Sequence, residues 1–400
     1  MTERFHAPVW DRGEPIDSDV LAFTIGDDPV QDRRLVEPEI EASLAHAEGL
    51  HRVGLLTDAD ADAIARGLEA LRESFRRDEW TVETADEDVH SAVERRLIAL
   101  VGEAGKRLHT GRSRNEQVAV DVRLWLREAV EETETRIEEA AAACRELAAR
   151  HGDTPIPGYT HLRRAMPSTL RDWAEAHARA FEADAEELDG PRRRIRECPL
   201  GSGAGYGVPL PLDRAFVAER LGFDRPESPP TLVQHARARA ELAYVTALEA
   251  VALDVGKLAF DLWLFSTREF GFFRLPIALT TGSSLMPHKR NPDVVELLRA
   301  HARATMADRT ALLDVVRDLP SGYHRDFQLV KPPLFRAHDR MQAMLGVLTR
   351  LVSALEIDRD AMEQACADPA LEATERVLER AKAGVPFRDA YRAEAERPDR

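Results

Sequence analysis

From Glu116 to about Arg150 the chain carries neither proline nor glycine, and Val118, Val122, Trp125, Ala129, Val130, Ile137, Ala141 and Cys144 recur near helical spacing. Gly152 follows, where a helix is expected to stop. A second run begins after Pro229-Pro230 and predicts a helix from Thr231 to about Phe265, interrupted only by Gly256. A third begins at Pro292, a favoured first-turn residue, and continues to Leu319. Runs of about 30 to 36 residues make rods of roughly 45–55 Å. Rods of that length bury an apolar stripe only against other long helices. The pattern therefore predicts an all-α, elongated long-helix bundle completed by other subunits. No strand alternation of useful length is visible, and a short hairpin is expected, if anywhere, near Ser202–Pro211.

Boundaries fall near Lys106 and Ile357. They give an N-terminal helical segment (1–106), a central segment holding the rods (107–357) and a small C-terminal helical segment (358–400). The charged end from Glu394 to Arg400 is expected to fray.

Composition narrows the function classes. A formal charge of −16 over 400 residues argues against non-specific binding to nucleic acid or an anionic membrane. It leaves room for an anionic small molecule held by local Arg and Lys. Only Lys106, Lys257, Lys289, Lys331 and Lys382 are lysines, so a lysine inside a motif carries added weight. GC-rich coding explains that bias more simply than adaptation to high salt. Cys144, Cys198 and Cys366 are widely spaced, as expected of reduced thiols in a cytoplasmic protein rather than a disulfide framework or zinc site. The start, Met1 to His6, lacks an apolar signal core. The apolar stretch Thr246–Phe265 is interrupted by Glu249, Asp254, Lys257 and Asp261, which makes it a bundle helix rather than a membrane span.

Three segments combine polar chemistry with a helix start. In Thr281–Asp293, Ser283 and Ser284 follow Gly282, and Lys289 and Asn291 lie just ahead of a helix N-terminus. An ammonium, an amide and free backbone N–H groups can converge there on an anion. A solvated polar linker would have the same composition. In His109–Gln117, Ser113 or Asn115 can cap the first rod, but capping does not account for Arg112 and Arg114 flanking the serine. In Gly158–Pro167, His161 precedes a helix expected to hold Pro167 in its first turn, where a histidine is more often structural. A His90–Glu94 pair at i,i+4 is a further structural reading. The glycines of Gly201–Gly207 lack the spacing of a dinucleotide fingerprint, and no clustered ligand set suggests a metal or cofactor.

The stretch Gly282-Ser283-Ser284-Leu285-Met286-Pro287-His288-Lys289-Arg290-Asn291 resembles the signature of the fumarase/aspartase superfamily. Thr110–Gln117, Gly158–Pro167, Asp86–Leu97 and Tyr323–Lys331 are similar to elements of its argininosuccinate lyase branch, and the likeness runs from about Phe23 to Tyr391. The resemblance implies the superfamily's long-helix fold, with a central twenty-helix bundle in a homotetramer whose sites are shared between subunits. It also implies cleavage of argininosuccinate to arginine and fumarate, the last step of arginine biosynthesis.

By the same resemblance, Ser283 is the general base and Lys289 and Asn291 hold the carboxylate whose charge grows. Thr160 and His161 serve binding and protonation of the leaving nitrogen, with His161 paired to Glu296. Ser113, Arg114 and Asn115 bind the succinyl carboxylates, His90 approaches the substrate, and Tyr323, Gln328 and Lys331 contact the arginine half.

Several positions depart from the pattern: Trp10–Glu14 at the start, Glu116 for Asp, Arg163 for Gln, and His288 and Arg290 in the serine loop. The C-terminal region is also shorter than the family implies. Arg163 keeps open a paralogous lyase that releases fumarate from another N-substituted aspartate. Loss of activity, as in the lens delta-crystallins, is the non-enzymatic alternative.

Overall fold

The computed structural model describes residues 17–397. The departures at Trp10–Glu14 and the reading of Met1–His6 lie outside them. The architecture is all-α with four two-stranded sheets among the described residues. Long helices span Arg114–His151, Arg239–Phe265, Asp293–Val316 and Lys331–Ser353. No helix among the described residues is long and apolar enough to cross a membrane.

The chain divides into two compact units. The first takes residues up to Glu132 together with Leu188–Leu248 and Ala307–Asp339; the second takes Thr133–Glu187, Glu249–Met306 and Arg340 onward. In the first, helices Val36–Arg52, Asp58–Arg76 and Val89–Val101 form a cluster. Thr57 and Asp88 start the latter two as N-caps, accepting from the N–H groups of Asp60 and Ser91. Gly67 lets two of these helices approach closely, since a Cβ there would lie 2.6 Å from Leu97 Cδ1. A neighbouring core joins Ala42, Ala45, Val120, Leu200, Val217, Leu221 and Phe223.

In the second unit the rods bury Ile137, Ala141, Cys144, Leu147, Val251, Val255, Leu258, Leu262, Leu345 and Leu348. Phe265 packs against Phe270, Phe272 and Phe273, and the Trp173 indole donates to Asp261 at 2.9 Å. Burial of Cys144 and Cys198 pushes both thiols up to about 12, so they remain protonated.

Four sequence expectations are corrected. The hairpin is not at Ser202–Pro211, which forms turns; it pairs Pro155–Thr160 with Arg163–Thr169. Pro167 therefore lies in a strand opposite Pro157, and the helix begins only at Leu170. The helix expected from Thr231 is broken: Leu232–His235 ends, residues 236–238 turn, and the rod starts at Arg239. Neither proline nor glycine marks that break, so periodicity could not reveal it. The last correction concerns the chain end, where Glu394 lies buried in helix Phe387–Ala395, accepting from Arg376 at 2.8 Å; residues 398–400, the end of the stretch expected to fray, lie outside the described residues.

Candidate active site

The rod Arg114–His151 opens with Ser113 as its cap. Ser113 Oγ accepts from the Asn115 N–H at 3.3 Å, and the Ser113 N–H donates to Glu116 Oε1 at 3.2 Å. These two contacts reproduce the logic of a capping box. Glu116 Oε2 accepts from the Gly203 N–H at 2.7 Å and the Ser202 hydroxyl at 3.2 Å. The glycine connector is therefore a structural partner of the rod start, with Gly203 at φ +58. Burial of Glu116 raises its carboxyl to about 7.

A cavity of about 110 Å³ opens beside this rod start within the first unit. Six of the expected substrate-binding residues line it: His90, Arg114, Asn115, Tyr323, Gln328 and Lys331. They come from three separate chain segments. Ser113 caps the helix and does not line the cavity. Asp28, Asp32, Asp88, Arg237, Arg325 and Phe327 complete most of the wall.

Most charges in this wall are paired within the chain. Arg114 donates to Asp88 at 2.7 Å and lies 3.3 Å from Glu87. Lys331 is buried, bonded to Asp32 and 2.8 Å from Asp28. Burial opposes its charge, but the two carboxylates hold its pKa above the ordinary lysine value. The Gln328 amide donates to the carbonyls of Thr24 and Ile25 at 3.0 and 2.8 Å, and its oxygen accepts from Arg325 at 2.7 Å.

Behind the wall, His90 Nδ1 lies 3.0 Å from Glu39 Oε2 and 3.5 Å from Asp121 Oδ2. All three side chains are almost fully buried. Burial alone would raise Glu39, but the hydrogen bond and charge of His90, with Arg112 and Ser43, bring it down to about 2. Asp121 is driven well above the ordinary carboxylate range by burial and by the charge of Glu39. The two carboxylates are therefore pushed in opposite directions, Glu39 down beside the imidazole and Asp121 up. Ligand-type atoms of the three residues lie within 4.8 Å of one another, a grouping the sequence did not suggest. The expected His90–Glu94 pair does not form; Glu94 instead lies 3.6 Å from His109.

The remaining expected residues lie in the second unit. Thr281-Gly282 pairs antiparallel with Arg290-Asn291, closing the loop that carries Ser283 and Lys289. Ser283 Oγ accepts from the N–H groups of Leu285 and Met286 at 3.3 and 3.1 Å, and the Asn291 amide donates to the Gly282 carbonyl at 3.3 Å. Lys289 is exposed. Thr160 and Arg163 face each other at the tip of the hairpin, where His161 and Leu162 both have φ +55. Tyr159 seats this hairpin on Phe265 and Phe270, with centroids 5.9 and 5.6 Å apart. His161 and Glu296 are exposed, and no hydrogen bond or ion pair links them within the chain.

Sequence reasoning missed Asp28, Asp32, Glu39, Asp121 and Arg237. Asp88 and Arg325 lay inside quoted motifs without being singled out. For Arg237 no signal was available, because the helix break that directs it is invisible in composition.

Residues 17–306 match a family model described as Lyase. Among solved structures, an EDDS lyase in complex with formate superposes with a TM-score of 0.81 at 23% identity, covering 96% of this chain and 76% of that one. A fumarate lyase:delta crystallin from Brucella melitensis gives 0.77 at 18% identity, covering 93% and 85%. The chain is a lyase with the long-helix fold of this class. The argininosuccinate lyase of Sorangium cellulosum (strain So ce56) is 44% identical over 384 residues, covering 96% of this chain and 89% of that protein. That of Stenotrophomonas maltophilia (strain R551-3) is 42% identical over 388 residues, covering 97% and 90%. The chain belongs to the argininosuccinate lyase family.

Proposed function

We propose that the protein eliminates arginine from argininosuccinate to give fumarate. The observation that carries this reading is the cavity into which His90, Arg114, Asn115, Tyr323, Gln328 and Lys331 converge from three chain segments. In the proposed reaction Ser283 removes the proton next to a succinyl carboxylate. Lys289 and Asn291 stabilise the resulting dianion-like intermediate, since preorganised donors are most effective where charge develops. Two backbone N–H groups already face Ser283 Oγ, an arrangement that favours its ionised form. The C–N bond then breaks, the carbon–carbon double bond of fumarate forms, and Thr160 or His161 delivers a proton to the departing nitrogen.

Ser113, Arg114 and Asn115 hold the succinyl carboxylates in this account. His161 and Glu296, which form no pair with each other among the described residues, act with groups of neighbouring subunits in a cytoplasmic homotetramer. The three-part division at Lys106 and Ile357 belongs to the same proposal. Arg163, opposite Thr160 in the hairpin, favours a second reading in which another N-substituted aspartate is the substrate. Fumarate release measured in parallel from argininosuccinate and from other aspartate adducts separates the two. Preference for argininosuccinate supports the first, and preference for another adduct supports the second.

A further inference from the structure

A second cavity, of about 190 Å³, lies in the first unit beside Ala119 and Arg123 of the rod. The short helix Asp189–Arg194 and the start of helix Arg239–Phe265 supply its other walls. Arg237 is the one residue it shares with the cavity of the candidate active site.

Five arginines line it, Arg123, Arg193, Arg194, Arg237 and Arg239, together with three glutamates. Two of those glutamates are engaged. Glu227 lies 2.7 Å from Arg123, and Glu197 accepts from Arg225 Nε at 2.8 Å. Only Glu241 remains to balance Arg193, Arg194, Arg237 and Arg239, and it lies within 4 Å of none of them. The side chains of Arg193, Arg194 and Arg239 are exposed and have no hydrogen bond or ion pair among the described residues. In a chain with 71 acidic residues against 55 basic ones, this gathering is a local reversal of sign.

Two further features supply donors without acceptors. Arg237 is nine-tenths buried, with Nη1 donating to the Asn115 carbonyl at 3.3 Å and Nε lacking any partner. Burial lowers its pKa, an effect that Glu241 opposes. A buried N–H without an acceptor is costly, and an oxygen brought by a ligand relieves that cost. The second feature is the helix start. The N–H groups of Arg239 and Leu242 bond the carbonyls of Ala236 and Ala238, whereas those of Ala240 and Glu241 meet no acceptor among the described residues. Both residues line the cavity, at the positive end of a helix of 27 residues.

The number and kind of donors select the ligand. Guanidinium forks match the oxygens of carboxylates and phosphates alike. A carboxylate, with two oxygens in one plane, satisfies one or two such forks. Four guanidinium groups and a helix start around so small a volume suit a tetrahedral group whose oxygens reach several walls at once.

We propose that this second cavity binds a phosphoryl oxyanion, held by Arg193, Arg194 and Arg239 and backed by Arg237 and the first turn of helix Arg239–Phe265. The site is separate from the reacting groups, and the proposal holds whichever N-substituted aspartate the protein cleaves.

The test is a calorimetric titration of the intact assembled protein with inorganic phosphate, at constant ionic strength set with sodium chloride. Arg193→Gln, Arg194→Gln, Arg239→Gln and the three combined are compared with wild type. One phosphate should bind per subunit, and each single variant should weaken it about 10-fold, the lower range of a lost charge-assisted hydrogen bond. Arg114→Gln, altered in the first cavity, should bind phosphate as wild type does. Absence of phosphate binding by the wild type overturns the proposal. Binding that survives the combined variant but is lost in Arg114→Gln places the anion in the first cavity and also overturns it. Light scattering follows assembly in every variant. Should the combined variant dissociate, the single variants carry the decision, and unchanged phosphate affinity in all three overturns the proposal.

Discussion

The Met286 N–H donates to Ser283 Oγ at 3.1 Å, and the Leu285 N–H approaches the same oxygen at 3.3 Å. The loop thus directs two backbone dipoles at the atom proposed to accept the substrate's proton in its alkoxide form. The same contacts make an ST-type turn, so the hydroxyl shapes the loop as well as facing the chemistry.

Ser283→Ala should leave circular dichroism and assembly unchanged while lowering kcat by about 10²- to 10⁴-fold, the usual contribution of a positioned general base. Steady-state kinetics checks this. Turnover within a few-fold of wild type would remove Ser283 from the role of base.

Glu39, His90 and Asp121 predict a pH effect on stability. Burial and the charge of Glu39 raise Asp121, so it holds its proton more tightly in the fold than in the unfolded chain. For a carboxyl raised on folding, the stabilising contribution is complete below the unfolded value of 3.8 and is lost as pH rises through the folded value. Asp121→Asn should therefore gain stability relative to wild type as pH increases from about 4 to 8. Urea unfolding at the two pH values measures the difference. A variant that loses ground toward pH 8 contradicts the assignment of the proton.

Gly67 tests the packing of the first unit. A Cβ there would meet Leu97 Cδ1 at 2.6 Å and Val101 Cγ1 at 2.8 Å, so Gly67→Ala should destabilise by about 1–3 kcal/mol despite its better helix propensity. A gain in unfolding midpoint would show that the helices separate at little cost.

The resemblance to the fumarase/aspartase superfamily implies active sites shared between subunits. Arg114 and Asn115 belong to the first unit, while Ser283, Lys289 and Thr160 belong to the second. Light scattering should report a homotetramer. Mixing inactive Ser283→Ala and Arg114→Ala proteins through reversible dissociation should restore part of the activity. An active monomer, or no recovery on mixing, would contradict sharing between subunits.

The long helices were legible because an apolar stripe over Val118–Cys144 has only one periodic explanation. The chemical motifs were legible because rare residue types, Lys289 above all, sit in a long specific pattern. The hairpin was not, since Pro155, Pro157 and Pro167 disguise its strands and its two left-handed residues, His161 and Leu162, are not glycine. Arg237 was hidden for a related reason: an Ala-Arg-Ala turn reads as good helix, and only tertiary contacts with Asn115, Tyr323 and Phe327 break it. The pairing of Lys331 with Asp28 and Asp32 depends on chain segments about 300 residues apart, and no local pattern encodes it.

Incubation of the purified protein with argininosuccinate, following fumarate by absorbance and arginine by chromatography, tests the central claim most directly. Both products are predicted in equal amounts, at a rate lowered about 10²- to 10⁴-fold by Ser283→Ala. Failure to release fumarate from argininosuccinate, in protein shown to be folded and assembled, would contradict it.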